Sequence, residues 1–124
     1  MAKTKKTIQW LEDVEEHDYP AAESYLRIIY DDKRAKQLVM KLRQAAIVEF
    51  KAKDIFRASS LSLLGVSNSH VEKDSRKIAK GTALSPLLLV RDSNLGKVVI
   101  ADGYHRMCAI YLVHEDALIR CKIV

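Results

Sequence analysis

The chain has 124 residues, a net charge of +5, 48% apolar and 30% charged residues. That mix describes one globular domain and excludes a disordered or fibrous chain. No apolar run approaches the ~18 residues of a membrane span, and no secretory signal region follows the basic start, so no membrane association is expected. Cys108 and Cys121 show no metal-ligand spacing and suit a reduced, cytoplasmic protein without disulfides.

The charge is uneven. Residues 1–50 carry nine Lys/Arg against nine Asp/Glu, and residues 51–124 carry twelve against seven, 12 − 7 = +5. A positive field in the second part favours phosphorylated ligands. No basic stripe with interleaved aromatics marks a nucleic-acid surface.

Residues 1–7 read as a mobile tail. From Thr7 to Glu16, Ile8, Trp10, Leu11 and Val14 share roughly one helical face opposite Glu12, Asp13, Glu15 and Glu16. Asp18-Tyr19-Pro20 opens a helix, because proline suits a first turn. Asp31-Asp32 breaks it, and the spacing of Ala35, Leu38, Val39, Leu42 and Ala46 predicts a second helix over 33–46. The first third is thus a helical pair, with Trp10 and Tyr25 expected to pack between helices.

At Ile47 the period changes to that of a strand through Phe50, and Lys51 to Arg57 is ambiguous. Ser59 to Asn68 reads as a loop. Ser69 and Glu72 fit a capping box for a helix that stops at Gly81. Leu87 to Arg91, the turn Asp92 to Gly96 and Lys97 to Ala101 form a hairpin. His105 to Val113 reads as a buried helix and Leu118 to Val124 as a closing strand.

The segment with the most chemistry is Ala101-Asp102-Gly103-Tyr104-His105-Arg106. It runs strand, tight turn, helix start. A helix N-terminus offers free N–H groups and partial positive charge to an anion. Gly103 permits close approach, and His105 and Arg106 add donors suited to phosphate. Asp102 is placed to cap the helix or hold a nucleotide's metal. His70 is placed to approach from the preceding helix. A metal site from His70, Asp102 and His105 lacks diagnostic spacing.

Residues 47–124 resemble the ParB/sulfiredoxin superfamily. Ser85 to Val90, the Asp-Gly-Tyr-His-Arg turn and the closing Ile119 to Val124 fit its pattern in order. More narrowly, the chain is similar to small bacterial proteins with an Ala-Asp-Gly-Tyr-His-Arg motif. The resemblance implies an α/β (α+β) fold, a small mixed sheet with the helical pair of residues 1–46 as an addition. It also implies a nucleotide or phosphate at the turn, with ATP, ADP or CTP and Mg²⁺ as cofactors, and a phosphotransferase or NTP hydrolase activity.

Gly103, Tyr104, His105 and Arg106 are then the binding residues, with His70 and Lys53 as additional candidates. Asp54, Asp102 and His105 are the candidate catalytic groups. In the serine kinase of the superfamily a carboxylate follows the first strand, where Asp54 or Glu49 stands. Tyr104 occupies the position of the sulfiredoxin cysteine, so sulfinate repair, which needs a thiolate there, is excluded. The chain's end at Val124, without a helix-turn-helix, argues against sequence-specific DNA binding. A competing expectation is a non-catalytic module whose N-terminal helices bind a protein partner or a second copy.

Overall fold

The structure is a computed structural model and describes residues 7–124; the expected mobile tail lies outside these except for Thr7. Helices α1 (Asp18–Ile29) and α2 (Asp32–Gln44) lead into strand β1 (Val48–Lys51) and helices α3 (Ala52–Ser59) and α4 (Ser69–Lys80). The hairpin β2 (Leu87–Asp92) and β3 (Lys97–Asp102), helix α5 (Tyr104–Val113) and β4 (Leu118–Ile123) follow. The sheet order is β1-β4-β2-β3. β2 and β4 run parallel, and the two outer pairs are antiparallel. The fold is therefore the small mixed α+β sheet with an N-terminal helical pair that the sequence suggests.

The alternation of strand side chains separates two cores, because successive residues face opposite sides of a sheet. Leu87, Leu89, Val98, Ile100, Ile119 and Cys121 join Ile55, Val71, Ile78 and Met107 from the later helices. Leu88, Val90, Val99 and Ala101 meet Ala22, Leu26, Leu38 and Leu42 of α1 and α2. The unbroken run Leu87 to Val90 thus reflects a strand covered on both faces. The helical pair supplies one of the two layers on this sheet.

Several local details differ from the sequence reading. Thr7 to Glu16 is not helical: Trp10 forms an isolated parallel bridge with Leu84, and Leu11 N–H donates to the Leu84 carbonyl at 2.9 Å. Pairing beside the start of β2 satisfies this backbone without a helix, and Trp10 packs onto the sheet core rather than between helices. The ambiguous segment after Lys51 is α3. The α4 cap is Asn68, whose side chain accepts from the His70 and Val71 amides at 2.9 and 3.2 Å. That moves the cap one residue ahead of the expected Ser69. Gly81 ends α4 in the left-handed region, as expected.

Candidate functional site

The turn sits at the end of β3. Gly103 has φ +109°, and a Cβ there would lie 2.6 Å from Leu87 Cγ and 3.0 Å from an Arg106 guanidinium nitrogen. Positive φ and close approach both require glycine. Gly103 is the N-cap of α5 and no side chain caps that helix. The first backbone bond of the helix, from Met107 N–H to the Gly103 carbonyl at 2.9 Å, follows the amides of Tyr104, His105 and Arg106. Those three N–H groups form the open first turn.

Asp102 does not cap α5. Its Oδ2 accepts from Arg106 at 3.0 Å, one helical turn away. The same guanidinium nitrogen lies 3.5 Å from Asp18, a residue 3% exposed at the start of α1. Asp18 in turn accepts from the Ser85 hydroxyl at 2.6 Å. Arg106 thus ties the turn to α1 between two carboxylates, and its Nε is buried without a partner. Burial pushes the Asp102 carboxyl above its ordinary range; Arg106 pulls it down and the Asp18 charge pushes it up. Arg106 is therefore an anchor whose charge is already engaged, and its partner Asp18 lies far earlier in the chain, where no local spacing marks it.

The remaining turn residues face α4. His70, Lys73, Asp74 and Lys77 line a cavity of about 170 Å³ together with Asp102, Gly103, Tyr104, His105 and Arg106. The imidazoles of His70 and His105 stack with centroids 4.8 Å apart. Burial, and then His70, hold His105 below its ordinary pKa, while Asp74 opposes them. The Tyr104 hydroxyl donates to the Ser62 carbonyl, which pins the loop before α4 to the turn. Lys73 and Lys77 were not singled out from the sequence. Their spacing from His70, three and seven residues on, puts all three on one helical face, and that periodicity was the available signal.

The structure brings Gly103, Tyr104, His105, Arg106, Asp102 and His70 together. It places Lys53 and Asp54 elsewhere. Lys53 pairs with Asp116 at 2.7 Å, beside the α5–β4 turn. Asp54 is exposed and lines a different cavity of about 470 Å³, with Phe50, Leu89, Arg91 and Lys97 at the hairpin end of the sheet. The length of β3, about 17 Å at ~3.4 Å per residue, separates that end from the turn. The cavity is mainly apolar, and nothing from the Asp-Gly-Tyr-His-Arg turn reaches it.

Compared with known proteins, the chain matches no family model, no curated protein and no solved structure.

The residues do not fit a protein-held Mg²⁺. Asp102 is engaged by Arg106, and no group of three or more His, Cys, Asp or Glu among the described residues is placed to hold a metal ion. Cys108 and Cys121 are free and buried, with burial raising both thiols, Cys121 to about 12. Such thiols are inert as nucleophiles.

Proposed function

We propose that the Asp-Gly-Tyr-His-Arg turn is a phosphate-binding site and that the protein binds a phosphorylated small molecule there. The observation that carries this reading is convergence: Lys73, Lys77 and His70 line the same small cavity as the first turn of α5. The ligand's phosphate would accept from the amides of Tyr104, His105 and Arg106, with lysine charge opposite them. A cavity of about 170 Å³ has room for a phosphoryl group rather than a whole cofactor. Four basic residues, Lys73, Arg76, Lys77 and Lys80, lie on α4, so part of the positive excess of the second half gathers beside the site.

This reading agrees with the nucleotide chemistry implied by the resemblance to the ParB/sulfiredoxin superfamily, with ATP, ADP or CTP as ligands. Any Mg²⁺ would arrive on the phosphates. Phosphoryl transfer relies mainly on positioning and charge neutralisation, which His105 and the lysines supply. The test is thermal stabilisation by inorganic pyrophosphate in the native protein and in the double variant Lys73→Ala/Lys77→Ala. At a hundred times its dissociation constant the ligand adds about 2.7 kcal/mol of stability. Equal stabilisation of both proteins, or of neither, contradicts the site.

A second reading is favoured by one observation. Ile28, 82% exposed, and Ile29 lie with Tyr25 on the outer face of α1. An apolar face of this kind suits a protein partner or a second copy of the chain. Ile28→Glu would then dissociate a dimer detected by light scattering; a native protein that is monomeric at high concentration removes the homodimer.

A further inference from the structure

The sheet has two outer strands, and the fold treats them oppositely. In β3, Val98, Val99, Ile100 and Ala101 are buried beneath the helices. In β1 every residue is exposed, Val48 at 38% and Phe50 at 37% included. β1 pairs with β4 alone, so its other edge is unpaired.

The ladder sets what that edge presents. Ala52 N–H donates to the Ala117 carbonyl at 2.8 Å, in the register that pairs Phe50 with Ile119 and Val48 with Cys121. Backbone polar groups alternate sides along an antiparallel strand, so Val48, Phe50 and Ala52 direct theirs to β4, and Glu49 and Lys51 direct theirs outward. Lys51 is the N-cap of α3, and an N-cap carbonyl accepts the first bond of its helix. The outward set is therefore the Lys51 N–H with the N–H and C=O of Glu49. Side chains alternate as well: Val48 and Phe50 share the face of Ile119 and Cys121, and Glu49 and Lys51 take the opposite face.

Such an edge is complementary to itself. In an antiparallel pair centred on Phe50, each Glu49 lies opposite Lys51 of the other copy. Each Lys51 N–H meets the Glu49 carbonyl across from it, and Phe50 faces Phe50. Centring on Glu49 or on Lys51 instead would set like charges face to face, which is unfavourable. An edge lysine ordinarily blocks strand addition; here it meets an opposite charge. Both groups are available. Lys51 Nζ is 3.9 Å from Asp116, which Lys53 already holds at 2.7 Å. Glu49 forms no ion pair among the described residues, although Arg120 lies across from it on β4.

We infer that β1 pairs antiparallel with β1 of a second copy of this chain, joining the two sheets into one with Phe50 at the two-fold axis. The interface is isologous and separate from the outer face of α1, and it needs nothing from the phosphate site. α3 leaves the edge clear, because it runs from β1 across the sheet to pack on β3 and α5. Phe50 lines the cavity of about 470 Å³ beside α3, and Phe50 of the second copy extends that apolar wall.

The experiment is sedimentation and light scattering of the full chain across a concentration series. Native protein, Glu49→Lys, Lys51→Glu, the double swap Glu49→Lys/Lys51→Glu, and Ile28→Glu are compared. The native chain should dimerise. Each single swap should raise the dimer dissociation constant about tenfold or more, because two symmetric pairs turn repulsive. The double swap should restore it, and Ile28→Glu should leave it unchanged. Phe50→Cys should form a disulfide-linked dimer on mild oxidation and Val48→Cys should not, since only residue 50 faces its own copy; the native cysteines are buried. A native chain that stays monomeric, with Phe50→Cys unlinked, overturns the pairing. A dimer indifferent to the single swaps, or one the double swap fails to restore, overturns it too. A dimer lost only in Ile28→Glu assigns association to α1 and overturns it as well.

Discussion

Gly103→Ala separates two demands that the turn makes on one residue. An alanine there must hold φ at +109°, which costs about 1–2 kcal/mol for a residue with a Cβ. That Cβ must also sit 2.6 Å from Cγ of Leu87, a branch carbon of a fully buried side chain. Overpacking of this kind adds about 1–3 kcal/mol, so the total is about 2–5 kcal/mol. Gly81→Ala is the matched control. Gly81 has φ +73° and open space where a Cβ would lie, so it carries the backbone cost alone. The gain from stiffening the unfolded chain is common to both variants and cancels. At roughly 4 °C per kcal/mol for a domain of this size, Gly103→Ala should lower Tm by roughly 8–20 °C and Gly81→Ala by roughly 4–8 °C. Thermal unfolding followed by circular dichroism reads both. Equal losses would refute the close packing of the turn on Leu87.

Other predictions follow from the charges and caps. Arg106→Ala leaves Asp18 and Asp102 facing each other without their cation and should cost about 3–5 kcal/mol; a chemical-denaturation midpoint close to native would show the pair to be unimportant. Asn68→Ala should cost about 1 kcal/mol while Ser69→Ala costs much less, because Asn68 accepts the first-turn amides of α4; the reverse order would restore the capping box. His105 is held below its ordinary pKa of 6.5, so in the free protein the unfolded state binds the extra proton first. Its contribution to stability is therefore present above 6.5 and lost as pH falls through the depressed value. A bound dianion reverses that bias, so sulfate, which keeps both charges between about pH 5 and 8, should bind more tightly as pH falls. In His105→Gln that pH dependence should shrink, and an unchanged profile would remove His105 from the site.

The sequence carried the sheet and most helices because their signals are local. The run Leu87 to Val90, the turn chemistry of Asp92 to Gly96 and the left-handed stop at Gly81 each depend on a few neighbouring residues. The segment before α1 was misread because Ile8, Trp10, Leu11 and Val14 have helical spacing. Trp10 and Leu11 instead pair with Leu84, more than seventy residues away in sequence, Ile8 packs with Trp10 on the sheet core, and Val14 joins the core beneath the helical pair. The turn was legible for the same local reason, and its glycine follows from packing on Leu87 as well as from φ. Arg106 read as a phosphate ligand because its position matches the resemblance; its engagement with Asp18 is a long-range contact that no spacing reveals. Lys122 is another such case. Nothing local in the closing strand marks it, yet it is 4% exposed beneath the helical pair, where its Nζ donates to the Tyr19 hydroxyl and the Arg43 carbonyl, each at 3.0 Å.

The most direct test of the phosphate site is an amide NMR titration with pyrophosphate. The amides of Tyr104, His105 and Arg106 should shift together along one saturating curve, with the His70 and His105 ring signals moving on the same curve. Lys73→Ala/Lys77→Ala should push that curve to about tenfold higher pyrophosphate. Saturable shifts centred on another part of the chain, or no shifts at these three amides in the folded protein, would contradict it.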